Sequence, residues 1–274
     1  MNRQKGGFLN TFTHTLQPYT GCTFGQRTLH GQGCPYCYVR KLPVALFKAR
    51  EWGSWLDAKV NVAAVLRKEL QNHERKGTLK NLRIFMSSAT DPYQGAEINM
   101  ELTKSCLEAF KDYPPGLLVV QTRSPLIIRD IALLKELREH VWVSVTLETN
   151  NDDVRKNITP TSPTVHSRLN AMRILHEAGI RVQAAVSPML PNDPIEFADM
   201  LDQACSRVVV DTLFHGDGAN GKRSESLGMK HLFEQYGYQS WYHPEAHGTL
   251  LAVLQRKLGN SRVVFSQEGF NTIH

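Results

Sequence analysis

Residues 162–188 read SPTVHSRLNAMRILHEAGIRVQAAVSP, a helix and a strand in immediate succession. Ser162 before Pro163 is a cap residue followed by proline in the first turn. Val165, Leu169 and Met172 recur at i, i+4 and i+7, the spacing of one helical face. Gly179 ends the helix, and the apolar run from Ile180 reads as a strand that stops at Pro188. The same unit repeats on both sides. Toward the N-terminus lie a strand at 141–149 (VWVSVTLET), a helix at 128–140, a strand at 116–122 (GLLVVQT) and a helix at 98–110. Before them come a strand at 82–90 (LRIFMSSAT), a helix over Asp57–Lys76 stopped by Gly77, and a first strand near 14–21 (HTLQPYTG). Toward the C-terminus, Asp193-Pro194 opens a helix through about Ala204, and 207–214 (RVVVDTLF) is the sixth strand. Beyond Phe214 the order loosens into HGDGANGKRSES, a mostly helical tail and a short apolar RVVF at 262–265.

Strands and helices alternating across short connections specify a parallel sheet with crossover helices. Six units are too few for a closed eight-stranded barrel. The expected fold is α/β, a partial (β/α)6 barrel of TIM type with parallel strands and a small C-terminal extension, with an open doubly wound sheet as the alternative. The expected division is 1–215 for the core and 216–274 for an extension packed on it. In such a fold the chemistry sits at the C-terminal ends of the strands. Hydrophobic residues are 41% and charged residues 21%, so a globular core is affordable without disulfides. The opening MNRQKGGFLN has no apolar signal core, and no apolar run approaches the ~20 residues of a membrane helix. A cytoplasmic protein with reduced thiols is expected. The formal charge of +6 suits a polyanionic partner, although no concentrated Lys/Arg run is present.

Against that background the cysteines are conspicuous. Residues 21–40, GCTFGQRTLHGQGCPYCYVR, hold Cys22, Cys34 and Cys37, while Cys106 and Cys205 stand apart on later helices. Three thiolates in this spacing can hold a [4Fe–4S] cluster with one iron left without a protein ligand. With His30 they could equally make a Cys3His zinc site, and spacing alone leaves both open.

The surrounding residues carry a resemblance. PYTGC (18–22) followed by CPYCYVRK (34–41) resembles the radical S-adenosylmethionine superfamily, and within it the spore photoproduct lyase-like group. SSATDPYQGAE (87–97), VQTRSPLIIRDIALLKEL (120–137), VSVTLET (143–149) and RLNAMRILHEAGIRVQAAVSPMLPN (168–192) are similar to successive units of that group. The match runs over roughly residues 16–215. One departure is the spacing: the group has three residues between its first two cysteines, and here there are eleven. Thr23–Gly33 is polar and glycine-bearing, as an inserted surface loop would be.

The resemblance implies a [4Fe–4S] cluster on Cys22, Cys34 and Cys37 with S-adenosylmethionine on the open iron. Reductive cleavage would give a 5′-deoxyadenosyl radical that takes hydrogen from a substrate. It implies an electron donor such as a flavodoxin or ferredoxin, and it admits a nucleic-acid substrate. The rival is a zinc-stabilised, Cys3His nucleic-acid-binding protein without radical chemistry. Carried onto this chain, Tyr36 lies near the adenine, and Ser87, Ser88, Thr90 and Asp91 are on the amino-acid part and the ribose. Arg123 is on the methionine carboxylate, and Ser144 and Thr146 are on the cofactor-facing side of the fourth strand. Glu148 and Asp211 are the candidate catalytic residues near the substrate, with His215 and Asp217 on its rim. His243 and His247 are four apart, but Pro244 and Gly248 argue against a helix that would pair them on a metal. The lyases return a hydrogen atom through a cysteine three residues before the aspartate of the second-strand segment. Here that residue is Ser88, whose O–H bond is too strong for the task, so thymine-dimer repair is not expected.

Overall fold

The computed structural model describes residues 1–4, 7–29 and 31–273. Its centre is an eight-stranded sheet with the strands in chain order. They are β1 (Asn2–Arg3), β2 (His14–Leu16), β3 (Arg83–Met86), β4 (Leu117–Thr122), β5 (Val141–Thr146), β6 (Arg181–Val186), β7 (Arg207–Val210) and β8 (Val263–Phe265). β1 runs antiparallel to β2, and every other neighbouring pair is parallel. The six expected parallel strands are present, and β8, from the RVVF stretch of the tail, adds a seventh beside β7.

Period-two alternation gives the sheet two different faces. Ile84, Met86, Leu118, Val120, Val143, Val145, Val182 and Val208 point outward into one large core with the crossover helices. Phe85, Leu117, Val119, Ala185 and Val209 point inward and meet Leu9, Phe12, Phe270 and Ile273 from the two ends of the chain. The lower half of the concave side is therefore filled. Arg83 donates to the Ile273 carbonyl at 2.6 Å, and Arg207 donates to the carbonyls of Thr272 and Gly269 at 3.0 and 3.1 Å. These bonds hold the last helix, Ser266–Asn271, in place.

Several elements differ from the sequence reading, each for a local reason. The helix expected from Asp57 starts at Val62 (α1, Val62–Arg75), because Leu56–Ala58 pairs antiparallel with Tyr19–Gly21. The helix expected over 98–110 breaks at Glu101, whose φ is +47°, into Glu97–Met100 and α2 (Leu102–Asp112). The buried Glu97 carboxylate accepts from the Thr103 and Lys104 amides at 3.1 and 3.3 Å, so it caps the new start. The stretch 125–136 is a 3-10 turn, Pro125–Asp130, followed by α3 (Ile131–Glu136). An additional short helix, α4 (Asp152–Ile158), is capped by Asn151, which accepts from the Asp153 and Val154 amides.

The helix of the opening stretch, α5 (Val165–Glu177), is capped by Thr164, which accepts from the Ser167 amide at 3.1 Å. Ser162 is not the cap. It is buried, and its hydroxyl accepts from Arg123 at 3.0 Å. This separation is testable. Thr164→Ala should cost about 1 kcal/mol in urea unfolding, the usual price of an N-cap. Ser162→Ala should leave the helix intact and instead disturb the site that Arg123 serves.

Candidate active site at the open end of the sheet

The cysteine stretch lies above the C-terminal ends of the strands. Cys22 follows the ribbon strand Tyr19–Gly21, and Cys37 caps the 3-10 turn Tyr38–Lys41. Between them the inserted residues form a small antiparallel hairpin, Arg27–Thr28 against Gly31–Gln32. The Gly33 amide donates to the Gln26 carbonyl at 3.0 Å, so the loop of eleven residues between Cys22 and Cys34 is drawn back toward its start. Gly21 has φ +93°, and a Cβ there would run into Trp55, so only glycine fits before Cys22.

Cys34 is buried, and its side chain and that of Cys37 are hydrogen-bonded. That bond is the largest influence on Cys34. With Arg123 and Arg40 it outweighs burial and brings the thiol down to about 7. Burial pushes Cys22 up to about 12, with Asp91 and Cys34 adding to the rise. The same hydrogen bond, with burial, holds Cys37 well above its ordinary range. The three thiols thus act on one another electrostatically. Arg40, three residues beyond Cys37, has two buried donors, Nε and Nη2, without a partner. The groups favouring its charge are Cys37, Cys34 and Glu51.

The segment after β3 is the scaffold of this loop. The Asp91 carboxylate accepts from the Tyr93 amide, the Thr122 hydroxyl and the Arg123 amide at 2.8, 2.7 and 2.8 Å, tying the loop to the end of β4. Thr90 donates to the Gly21 carbonyl. Gln94, which the sequence reading did not single out, is fully buried and does more. Its Nε2 donates to Thr90, to the Asp91 carbonyl and to the Gly21 carbonyl, and its Oε1 accepts from the Thr23 amide at 2.6 Å. Gln94 therefore holds the backbone on both sides of Cys22. A buried glutamine in a Thr-Asp-Pro-Tyr-Gln turn was the available signal.

Glu148 lies two residues beyond β5 and is buried. Its Oε1 accepts from the Tyr36 hydroxyl at 2.6 Å and faces Arg123 at 3.3 Å, while Oε2 is paired with the fully buried Arg168 at 2.5 Å. Burial alone would raise its pKa, but Arg168, Arg123 and the Tyr36 bond together hold it at about 2. Arg168 also escaped the sequence reading, because an arginine on an amphipathic helix reads as solvated.

Below this layer the concave face turns polar. Gln121, Ser144 and Gln183 are opposite one another across β4, β5 and β6. Gln183 donates to Ser144 at 3.0 Å, and Gln121 donates to Thr146 at 2.8 Å. Four buried atoms here have no partner: Ser87 Oγ, Gln121 Oε1, Gln183 Oε1 and Asp211 Oδ2. Ser87, with φ +70°, Gln121 and Asp211 line a cavity of about 320 Å³ whose apolar part is Phe8, Leu9, Phe85 and Phe270. A smaller cavity of about 150 Å³ reaches Cys34, Tyr36 and Cys37. Tyr38, Ser187, Gly216 and Asp217 line both, so the two cavities adjoin and together make a trough that runs from the cysteines to the filled floor, with these four residues at its waist. Burial raises the Asp211 carboxyl to about 7. Ser88 accepts from Gln17 at 3.3 Å.

The remaining candidates have local tasks. Asp217 accepts from the Ala219, Gly221 and Ser224 amides and shapes its own turn. His243 and His247 do not share a helix face, since the helix begins at Gly248 and His243 accepts from the Glu245 amide. His247 instead meets His215, with ring centroids 5.6 Å apart. His30 lies outside the described residues, and among the described residues no three His, Cys, Asp or Glu form a single-ion site.

The chain belongs to the radical SAM superfamily, whose family model matches residues 16–204. That family carries a [4Fe–4S] cluster and uses S-adenosylmethionine. Among curated relatives it is 29% identical to the uncharacterized protein MJ0683 of Methanocaldococcus jannaschii over 65% of this chain and 61% of that one. It is 29% identical to the uncharacterized protein Rv2578c of Mycobacterium tuberculosis over 69% of this chain and 54% of that one. The chain thus spans little more than half the length of these relatives. A cysteine-to-serine variant of spore photoproduct lyase has a similar fold, with TM-score 0.62 and 13% identity, covering 92% of this chain and 75% of that one. A lyase variant with bound AdoMet and dinucleoside spore photoproduct gives TM-score 0.59 at 13% identity and the same coverage. Streptococcus suis SuiB bound to its precursor peptide SuiA gives 0.52 at 13%, covering 83% and 48%. Among the described residues, no helix is long and apolar enough to cross a membrane.

The residues present fit the family's cofactors. Three mutually interacting thiols are the donor type a cluster requires, and the Arg40 Nε and Nη2 donors are without a partner. A cluster carried by three thiolates would supply one. The trough beyond has unsatisfied polar atoms on its wall, as a site for a polar molecule requires. Two predictions follow from this geometry. Gln94→Ala should lower the iron retained per chain after reconstitution while leaving the far-UV spectrum unchanged. For Glu148, the folded-state pKa lies below the ordinary 4.5, so its ionised form contributes stability above that value. That contribution, about 3 kcal/mol, is lost as the pH falls from 4.5 toward 2. Urea unfolding of a Glu148→Gln variant should show lower stability at neutral pH and a flatter dependence across that window.

Proposed function

We propose that Cys22, Cys34 and Cys37 hold the cluster and that S-adenosylmethionine lies in the trough between them and Asp211. The substrate would sit on the aromatic floor. The observation that carries this is the pair of adjoining cavities, which share Tyr38, Ser187, Gly216 and Asp217: one reaches Cys34 and Cys37, and the other has a polar wall with unmatched hydrogen-bonding atoms. When bound, the cluster and S-adenosylmethionine supply a carbon-centred radical able to take a hydrogen atom from an unactivated C–H bond.

The protein's part is binding, orientation and exclusion of water. Tyr36 is fixed through its hydroxyl by Glu148, so its ring is held beside Cys34 as one wall for the adenine. Arg123 is held by Glu148 and Ser162 with its charge toward the cysteines, and it can meet the methionine carboxylate. Asp91 and Thr90 act by building the loop. Ser87 offers a free hydroxyl to the bound cofactor, and Ser144 and Thr146 set the polar layer with Gln121 and Gln183. Asp211, neutral below about 7, can donate or accept a hydrogen bond at the substrate. The chemistry is assigned to 1–215, with 216–274 covering one side of the trough.

The substrate we favour is a nucleic acid. The net charge of +6 supports a polyanion, and an aromatic floor with a carboxyl on the wall suits a planar ring with polar edges. The lyase neighbour carries a dinucleoside lesion. A thiol-mediated repair is not proposed, because Ser88 has a hydroxyl at that position.

The test is anaerobic reconstitution. About four irons and four sulfides per chain, and a reduced-cluster EPR signal that shifts on adding S-adenosylmethionine, are expected. Cys22→Ala, Cys34→Ala and Cys37→Ala should each abolish them. One zinc and no sulfide would overturn the assignment. Release of 5′-deoxyadenosine should be faster with single-stranded DNA or RNA than with peptides, and a lack of stimulation by either nucleic acid would exclude the proposed substrate class. Asp211→Asn should remove an inflection near pH 7 in that stimulated rate.

A further inference from the structure

The surface just outside the cysteine loop carries features that the site does not use. Cys37 leads directly through the 3-10 turn Tyr38–Lys41 into a single helical turn, Pro43–Leu46. Ala45 on that turn is buried with Val39, Trp52 and Trp55, and Cys22 and Cys37 pack against the same cluster. Leu46 and Phe47 face away from it and are 60% and 86% exposed. Exposed single apolar residues are ordinary, and here two large ones are adjacent in a segment that is otherwise rich in charge.

The rim is basic on balance. Arg27, Lys41, Lys48 and Arg50 lie in or beside the segment, against Glu51 and Asp57. Asp57 is paired with Lys48 at 2.6 Å and faces Arg50 at 3.7 Å, whereas Lys41 is exposed and takes part in none of the ion pairs among the described residues. Lys48 also lies over the Trp55 ring, 4.5 Å from its centroid. The Trp55–Lys48–Asp57 contacts stiffen the base of the patch.

We propose that this patch, Leu46 and Phe47 with Lys41 and Arg50, is the docking site of an acidic one-electron carrier protein. The proposal rests on the cluster reading above and adds the direction from which its electron arrives. The chemistry requires one electron from outside for each cleavage. A reduced flavin carrier gives up one electron, becoming the semiquinone, and the cluster takes that electron with no proton transferred. An apolar centre ringed by cations matches a carrier whose redox group is framed by carboxylates. A nucleic-acid backbone calls for an unbroken run of cations, and Glu51 and Asp57 interrupt this one.

The experiment compares two reductants on the reconstituted protein. One is the hydroquinone of an acidic flavodoxin, and the other is dithionite, which is too small to need a docking surface. Formation of the reduced-cluster EPR signal is timed with each, per iron bound, for the wild type, Phe47→Ala and Lys41→Glu/Arg50→Glu. Flavodoxin-driven reduction should slow by about tenfold or more in both variants at low salt, with the dithionite rate unchanged. Raising the salt should slow the wild type toward the charge-reversed variant. Because the readout is the ratio of the two rates, a variant that binds less iron still gives an answer. An unchanged ratio would overturn the proposal. So would loss of affinity for a DNA duplex with the flavodoxin rate retained, which would make the patch a nucleic-acid surface. Absence of iron and sulfide from the wild type, measured before any carrier is added, would instead overturn the cluster reading on which the proposal rests.

Discussion

The carboxylate of Glu148 is buried among two guanidiniums and a phenol, and the site is assembled around it. A lone carboxylate at that depth would be costly, and its presence requires Arg168 from α5 and Arg123 from the end of β4. Having been neutralised, it fixes Tyr36 between the second and third cysteines. One ion cluster thus connects the loop of cysteines, two strand ends and a helix. The parts are far apart in sequence, and Glu148 ties them together: without it, the fully buried Arg168 charge would lose its ion-pair partner.

A second constraint comes from the alternation of the strands. The outward side chains are mostly apolar and pack in the core with the helices, with His14 and Thr122 as polar exceptions on that face. The inward side chains change character with height: arginines and aromatics at the base, glutamines and small hydroxyls in the middle, Ser87 and Asp211 at the top. The base is filled by residues from both ends of the chain, which explains why the open space is confined to the upper half. Reactive chemistry needs such a floor, since water reaching the site from below would compete with the substrate.

The cysteine loop illustrates how an insertion is accommodated. Eleven residues separate Cys22 from Cys34, but hairpin pairing and the Gly33–Gln26 bond draw the chain back toward its start. Gln94 holds the two peptides flanking Cys22. The local register of the cysteines is therefore set by partners across the fold and not by the length of the loop between them.

The sequence by itself determined the order of strands and helices, the parallel sheet and the family, because those follow from periodicity, caps and short motifs. It also placed Asp211 and Ser87 at strand ends. Its local errors were at helix starts, where Glu97, Asn151 and Thr164 supply caps that compete with periodicity. Only the tertiary structure decided that RVVF is a seventh strand, that His247 meets His215 and not His243, and that Gln94 and Arg168 belong to the site. Each of these depends on a partner distant in sequence. A buried polar residue looks solvated in a linear reading until the group that satisfies it is brought against it.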